Sequence, residues 1–143
     1  MNEVRRPLSA AEIEAALPGL PGWELRGGRL HREYQFRDFV EAWGFMASAA
    51  LVIQAMDHHP EWSNVYSLVT VDLSTHDAHG VTRTDLDLAA RLEELAHDPD
   101  LRLAMGQRAS ARIITRYAVS RLVSDIDRLY RALLETTSSS NSR

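Results

Sequence analysis

A change of period in the middle of the chain limits its architecture more than any other feature. From Arg37 to about Met56 the pattern is helical, with Phe39, Val40, Trp43, Ala47, Ala50, Leu51 and Gln54 falling on one face. Pro60 closes that helix off, because the residue before a proline avoids the helical region. The chain then alternates over residues 65–75, with Val65, Val69, Val71 and Leu73 set against Tyr66, Leu68, Thr70, Asp72 and Ser74. The expectation is a helix laid across a sheet by that face, followed directly by a long strand. A strand of eleven residues is long enough to bend into two.

Upstream, Ser9 followed by Glu12 reads as a capping box, and Ile13, Ala16 and Leu17 give a short apolar stripe. Pro18-Gly19 and Pro21-Gly22 stop this helix. Trp23-Glu24-Leu25 reads as a short strand, Gly27-Gly28 as a tight hairpin turn, and residues 30–36 as its partner, with Leu30, Arg32, Tyr34 and Phe36 on one side. Downstream, Asp77-Ala78-His79-Gly80 is a turn, and Thr82 or Thr84 caps a helix that runs to about Ala96. Strands and helices do not alternate as a parallel βαβ sheet requires. The predicted class is therefore α+β: an antiparallel β-sheet covered on one face by helices.

After His97 the character changes. Asp98-Pro99 starts a new helix, with proline at an early position, and Leu101, Met105, Ala109 and Ile113 recur along it. A final helix carries Val119, Leu122, Val123, Ile126, Leu129, Tyr130, Leu133 and Leu134 on one stripe. Together these predict a C-terminal α-helical hairpin extension. Charge shifts at the same place. Eight arginines face 15 carboxylates before Asp98, and eight face five from there on. The expected organisation is a domain over residues 1–97, a two-helix extension over 98–135, and a serine-rich disordered tail over 136–143.

The chain has no cysteine, so neither a disulfide framework nor a thiolate metal site is available. The net charge of −4 argues against direct nucleic-acid binding or attraction to anionic membranes. Residues 1–8 lack an apolar signal core, and no apolar run is expected to span a membrane. A cytoplasmic protein is the expectation.

Chemistry concentrates in Asp57-His58-His59-Pro60-Glu61-Trp62 and in Ser74-Thr75-His76. Imidazole both donates and accepts protons near neutral pH, so His58, His59 and His76 converging on one cleft would form an acid–base site. Spacing alone also allows a merely solvated loop pair at His58-His59 and a strand-end His76 without a role. A metal site would draw on the same three histidines and Asp57. Adjacent histidines tend to diverge, which weighs against it. Trp62 is near enough in sequence to line the same pocket. His31, His79 and His97 are read as surface residues.

The run from Asp57 to Tyr66, with Leu73-Ser74-Thr75-His76-Asp77, Gly80-Val81-Thr82 and Asp85, resembles pterin-4a-carbinolamine dehydratase. Trp23 and the segment Tyr34 to Met46 match that family too. The likeness extends from about Leu8 to about Ala96. It implies an α+β domain that assembles as a homodimer or homotetramer. It also implies dehydration of 4a-hydroxytetrahydrobiopterin to a quinonoid dihydropterin, with no metal and no organic cofactor. On this resemblance His58, His59 and His76 are the catalytic residues, and Asp57, Pro60, Ser74, Thr75 and Asp85 line or support the pterin site. Gln54 departs from the acidic residue common four positions before the first histidine, and this change could weaken pterin binding or lower the basicity of a neighbouring imidazole.

The tail, from Leu95-Ala96-His97-Asp98-Pro99 through Arg116-Tyr117 to Leu129-Tyr130-Arg131-Ala132-Leu133-Leu134, is similar to the last helices of retaining GT-B glycosyltransferases. None of its residues belongs to that family's donor-sugar or catalytic motifs, so no such activity carries over. Two functions of different class follow. One is a pterin dehydratase, and the other a non-catalytic dimerising interaction module using the same scaffold and the amphipathic tail.

Overall fold

The computed structural model describes residues 6–140. The start of the leading segment and the last three residues of the serine-rich tail are outside the described residues. By its internal contacts the chain forms two compact units, one ending at Leu103 and one beginning at Ala104.

The first unit is α+β. Its sheet has four antiparallel strands in the order β1-β2-β4-β3, comprising β1 (Glu24–Arg26), β2 (Arg29–Gln35), β3 (Glu61–Val65) and β4 (Leu68–Leu73). Its helices are α1 (Ala10–Ala16), α2 (Phe39–Met56) and α3 (Arg83–His97). The capping box of α1 is present as read. Ser9 Oγ accepts from the Glu12 N–H at 3.3 Å, and the Ser9 N–H bonds the Glu12 carboxylate at 2.8 Å. Gly27 and Gly28 form the β1–β2 turn with φ of 60° and 79°, a left-handed pair that side chains resist.

Alternation places Leu30 and Tyr34 of β2 and Val69, Val71 and Leu73 of β4 on the covered face, where all are buried. They meet Phe45, Ala49 and Ile53 of α2 and Leu88, Leu92 and Leu95 of α3 in one core. Arg32 shares that face. Its guanidinium sits over the Tyr34 ring at 4.7 Å and bonds Glu93 at 2.9 Å, so the charge is paired where it is half-buried. The open face is polar. There His31 is buried, contrary to the surface position expected for it, while His79 and His97 are exposed. His31 Nδ1 donates to Asp72 Oδ1 at 2.8 Å and Nε2 accepts from Arg26 at 2.9 Å.

Further expectations for this unit change. The run read as one strand from Val65 to Thr75 is a hairpin. β3 begins four residues earlier than that run, at Glu61, and Tyr66-Ser67 turns the chain with Tyr66 at φ 54°. The turn flips the parity, so Val65 pairs with Leu68 and stays exposed. α2 spans the expected range but buries the other side. Ala42, Phe45, Ser48, Ala49 and Ile53 face the core, whereas Phe39, Val40, Trp43, Ala47, Ala50, Leu51 and Gln54 face outward. A helix that is apolar almost all round gives periodicity no inward side to choose. α2 is in fact long and apolar enough to cross a membrane, with 18 residues at a mean hydropathy of 1.4, against expectation. Its inward side packs on α3 and β4.

The extension is not a hairpin. α4 (Pro99–Tyr117) and α5 (Val119–Ser140) are joined by Ala118 alone, and the Ala118 N–H still bonds Ile114 O at 3.1 Å. A reversal between helices needs a loop of roughly two to five residues. The helix also continues through 136–140, where the polar composition pointed to disorder. The first turn of α4 belongs to the first unit. There Arg102 donates to Leu95 O at 2.6 Å and Ala96 O at 3.0 Å, closing the C-terminal end of α3, and reaches Glu41 at 3.4 Å.

Candidate active site

α2 ends at Asp57, which adopts the left-handed conformation with φ 49° and ψ 42° and bonds Gln54 O and Ile53 O through its N–H. Aspartate tolerates this conformation better than most side chains. The His58 N–H also returns to Ile53 O, at 3.3 Å. This cap swings the chain across the end of the helix. His58 turns inward, with its side chain 13% exposed, while Asp57 and His59 remain exposed.

β4 brings the second half of the site. After Leu73 the chain passes through Ser74 and Thr75, which is bridged to Gly80, and His76 opens a short 3₁₀ turn over His76–Ala78. α3 then starts at Arg83 with Thr82 as its N-cap. Its residue Asp85 is completely buried. One oxygen of Asp85 accepts from His58 Nε2 at 2.7 Å. The other takes the Thr82 N–H at 2.7 Å and meets the hydroxyls of Thr75 at 2.8 Å and Thr82 at 3.0 Å. Those hydroxyls are themselves 2.7 Å apart. Two hydroxyl protons thus serve three contacts, and the carboxylate is satisfied on both sides. A carboxylate only accepts, so His58 carries its hydrogen on Nε2 and keeps Nδ1 as the acceptor.

Between these segments lies a hollow of about 440 Å³ lined by Met56, Asp57, His58, His59, Ser74, Thr75, His76, Asp77 and Thr84. That volume suits a small bicyclic molecule. His58, His59 and His76 are brought together there, with Asp57, Ser74 and Thr75. Asp85 supports the hollow from below rather than lining it. Pro60 and Trp62 do not line it. Trp62 sits half-buried on β3, paired with Val71. Gln54 is exposed and also stays out of the lining. Met56, Asp77 and Thr84 line the hollow although they were not read as site residues, and Thr82 holds Asp85. Their signal was adjacency: each is next to, or within three residues of, a residue already chosen.

Comparison with known proteins gives the geometry a context. The family described as pterin 4 alpha carbinolamine dehydratase matches residues 6–95. The chain belongs to that family. It is 55% identical over 89 residues to a putative pterin-4-alpha-carbinolamine dehydratase of Solibacter usitatus, covering 62% of this chain and 94% of the relative. A Prochlorococcus marinus protein of the same description is 50% identical over 88 residues, covering 62% and 92%. The crystal structure of a transcriptional coactivator/pterin dehydratase from Brucella melitensis superimposes with a TM-score of 0.62 at 43% identity, covering 64% of this chain and 99% of that one. The match to the family ends before α4, and the glycosyltransferase likeness of the tail gains no support from it.

Proposed function

We propose that His58 and His76 carry the proton transfers, with His59 beside them orienting the substrate, by which this pterin-4a-carbinolamine dehydratase, a hydro-lyase, removes water from 4a-hydroxytetrahydrobiopterin. Loss of the 4a-hydroxyl as water needs a proton delivered to the leaving oxygen and a proton withdrawn from the ring-nitrogen side. The products are a quinonoid dihydropterin and water. His58 has Nε2 committed to Asp85, so Nδ1 takes the ring-nitrogen proton. His76, on the opposite lip, protonates the hydroxyl. His59, Asp57, Ser74 and Thr75 hold the bicycle between them, and Asp85 keeps the His58 ring in its tautomer and orientation. The observation that carries this reading is the convergence of the three imidazoles, from a helix end and a strand end, on one hollow of ligand size.

Copies of the chain associate through the outward side of α2, where Val40 is 77% and Trp43 57% exposed. That face supports a homodimer or homotetramer. Light scattering on a chain ending at Leu103, with and without Trp43→Glu, tests it, the variant falling to monomer.

The catalytic assignment is tested by turnover of a 4a-hydroxytetrahydropterin by His58→Ala and His76→Ala. Both should lose activity with their folds intact. Wild-type turnover in both refutes the assignment, and a well-folded parent without turnover favours the interaction module instead.

A further inference from the structure

The apolar stripe of α5 has a finer structure than amphipathicity alone. Val119, Leu122, Ile126 and Leu129 are spaced by three, four and three residues. Numbered as a heptad from Val119, the first two a positions hold Val119 and Ile126, both β-branched, and the first two d positions hold Leu122 and Leu129; Leu133 and Thr136 follow at the third a and d. Val123 and Tyr130 fall at e, beside the seam. The six of these side chains from Val119 to Tyr130 are between 44% and 75% exposed. A helix of 22 residues gains most of its stability from packing an apolar face, and the large apolar side chains described on this one are exposed.

The residue types indicate what covers it. β-branched residues at a with leucine at d are the combination that two parallel strands accept best, because the two layers present side chains at different angles. Across such a pair the g position of one helix faces the e position of the other. That sets Asp125 opposite Tyr130, with no like charges facing. The charges of the polar side are satisfied within the helix: Arg121 and Arg128 both pair with Asp125, and Arg131 pairs with Asp127 at 2.9 Å. A helix that lies on a lipid surface instead keeps an unpaired basic rim. Extending the register backwards puts Arg112 and Thr115 at a and d, so the seam starts where α5 starts.

We propose that α5 pairs with α5 of a second copy of this chain as a parallel, in-register two-stranded coiled coil. The pairing is independent of the dehydratase reading, since no residue of the hollow takes part.

The chain contains no cysteine, so one introduced thiol can form a disulfide only with another copy. The experiment compares full-length Leu122→Cys, Leu129→Cys and Ser124→Cys under mild oxidation at equal concentration, read by non-reducing electrophoresis. In the proposed pair each d residue faces its own counterpart within disulfide reach, whereas Ser124, at f, points away. Most of the Leu122→Cys and Leu129→Cys chains should convert to linked dimer while Ser124→Cys stays single. Adding Ile126→Asp to Leu129→Cys should abolish the link. Linking of only one d variant means antiparallel pairing and overturns the proposal. Equal linking of Ser124→Cys, or no linking at all, overturns it as well. The assay uses no substrate, so its failure leaves the dehydratase reading untouched.

Discussion

The two units of this chain carry similar proportions of apolar residues and use them in opposite ways. In the first, Leu30, Phe45, Leu73, Leu88 and Leu92 are completely covered. In the second, Ile113, Leu122 and Leu129 stand more than half exposed. The difference is topological. The first unit has turns at Gly27-Gly28 and Tyr66-Ser67 and a reversal at Asp57, so residues far apart in sequence meet. The second has one non-helical residue among those described, Ala118, and no reversal between α4 and α5. An apolar stripe states a demand for a partner, and only a chain reversal lets a single copy meet that demand itself.

This contrast can be broken by experiment. The largest expected effect is catalytic. His58→Ala should lower turnover roughly 10²–10⁴-fold, while a chain ending at Leu103 should turn over like the parent, as the relatives consist of little beyond the matched domain. Equal losses in the two would show that the extension takes part in the chemistry. Next comes stability. Phe45→Ala should cost the domain about 3–5 kcal/mol by denaturant unfolding, since it empties a packed core. Leu129→Ala should move the same transition by less than about 0.5 kcal/mol. The junction sharpens the comparison further. Arg102→Ala removes charged hydrogen bonds worth about 1.5–3 kcal/mol at the end of α3, and faster amide exchange confined to residues near 98–103 would show it.

The smallest effect is in acid. Glu12, held by Arg6 and then by the Ser9 backbone and hydroxyl, has its carboxyl pulled down to about 2 from 4.5. A depressed carboxylate stabilises the fold fully above its ordinary value, and that contribution fades as pH falls through the folded one. Glu12→Gln should therefore flatten the pH dependence of unfolding between about 4.5 and about 2. Asp38, at the start of α2, is lowered chiefly by the Glu41 N–H and adds in the same direction.

Much of this was legible in the sequence because local chemistry announces itself. Ser9 with Glu12, the paired glycines and the His58-His59-Pro60 run each carry their meaning within a few residues. The site was legible for the same reason, apart from the depth of Asp85 and the absence of Pro60 and Trp62 from the lining. Three features were hidden. The β3–β4 turn uses Tyr66-Ser67 without a glycine, so alternation ran through it unbroken. α2 is apolar on both sides, so the spacing fitted either face. The extension showed two amphipathic stretches, and only the missing loop at Ala118 told that they do not fold back. In the first and third cases the deciding information was a chain reversal, present or absent, with no signature of its own in the pattern of residues.

Asp57 bears on how such a site can change. One backbone setting at that residue aims two neighbouring rings, His58 toward the interior and His59 toward solvent. A substitution there that resists a positive φ would re-aim both together. Selection acting on either histidine's bearing therefore acts on the other's, and independent adjustment is left to the opposite lip, where His76 has its own short turn.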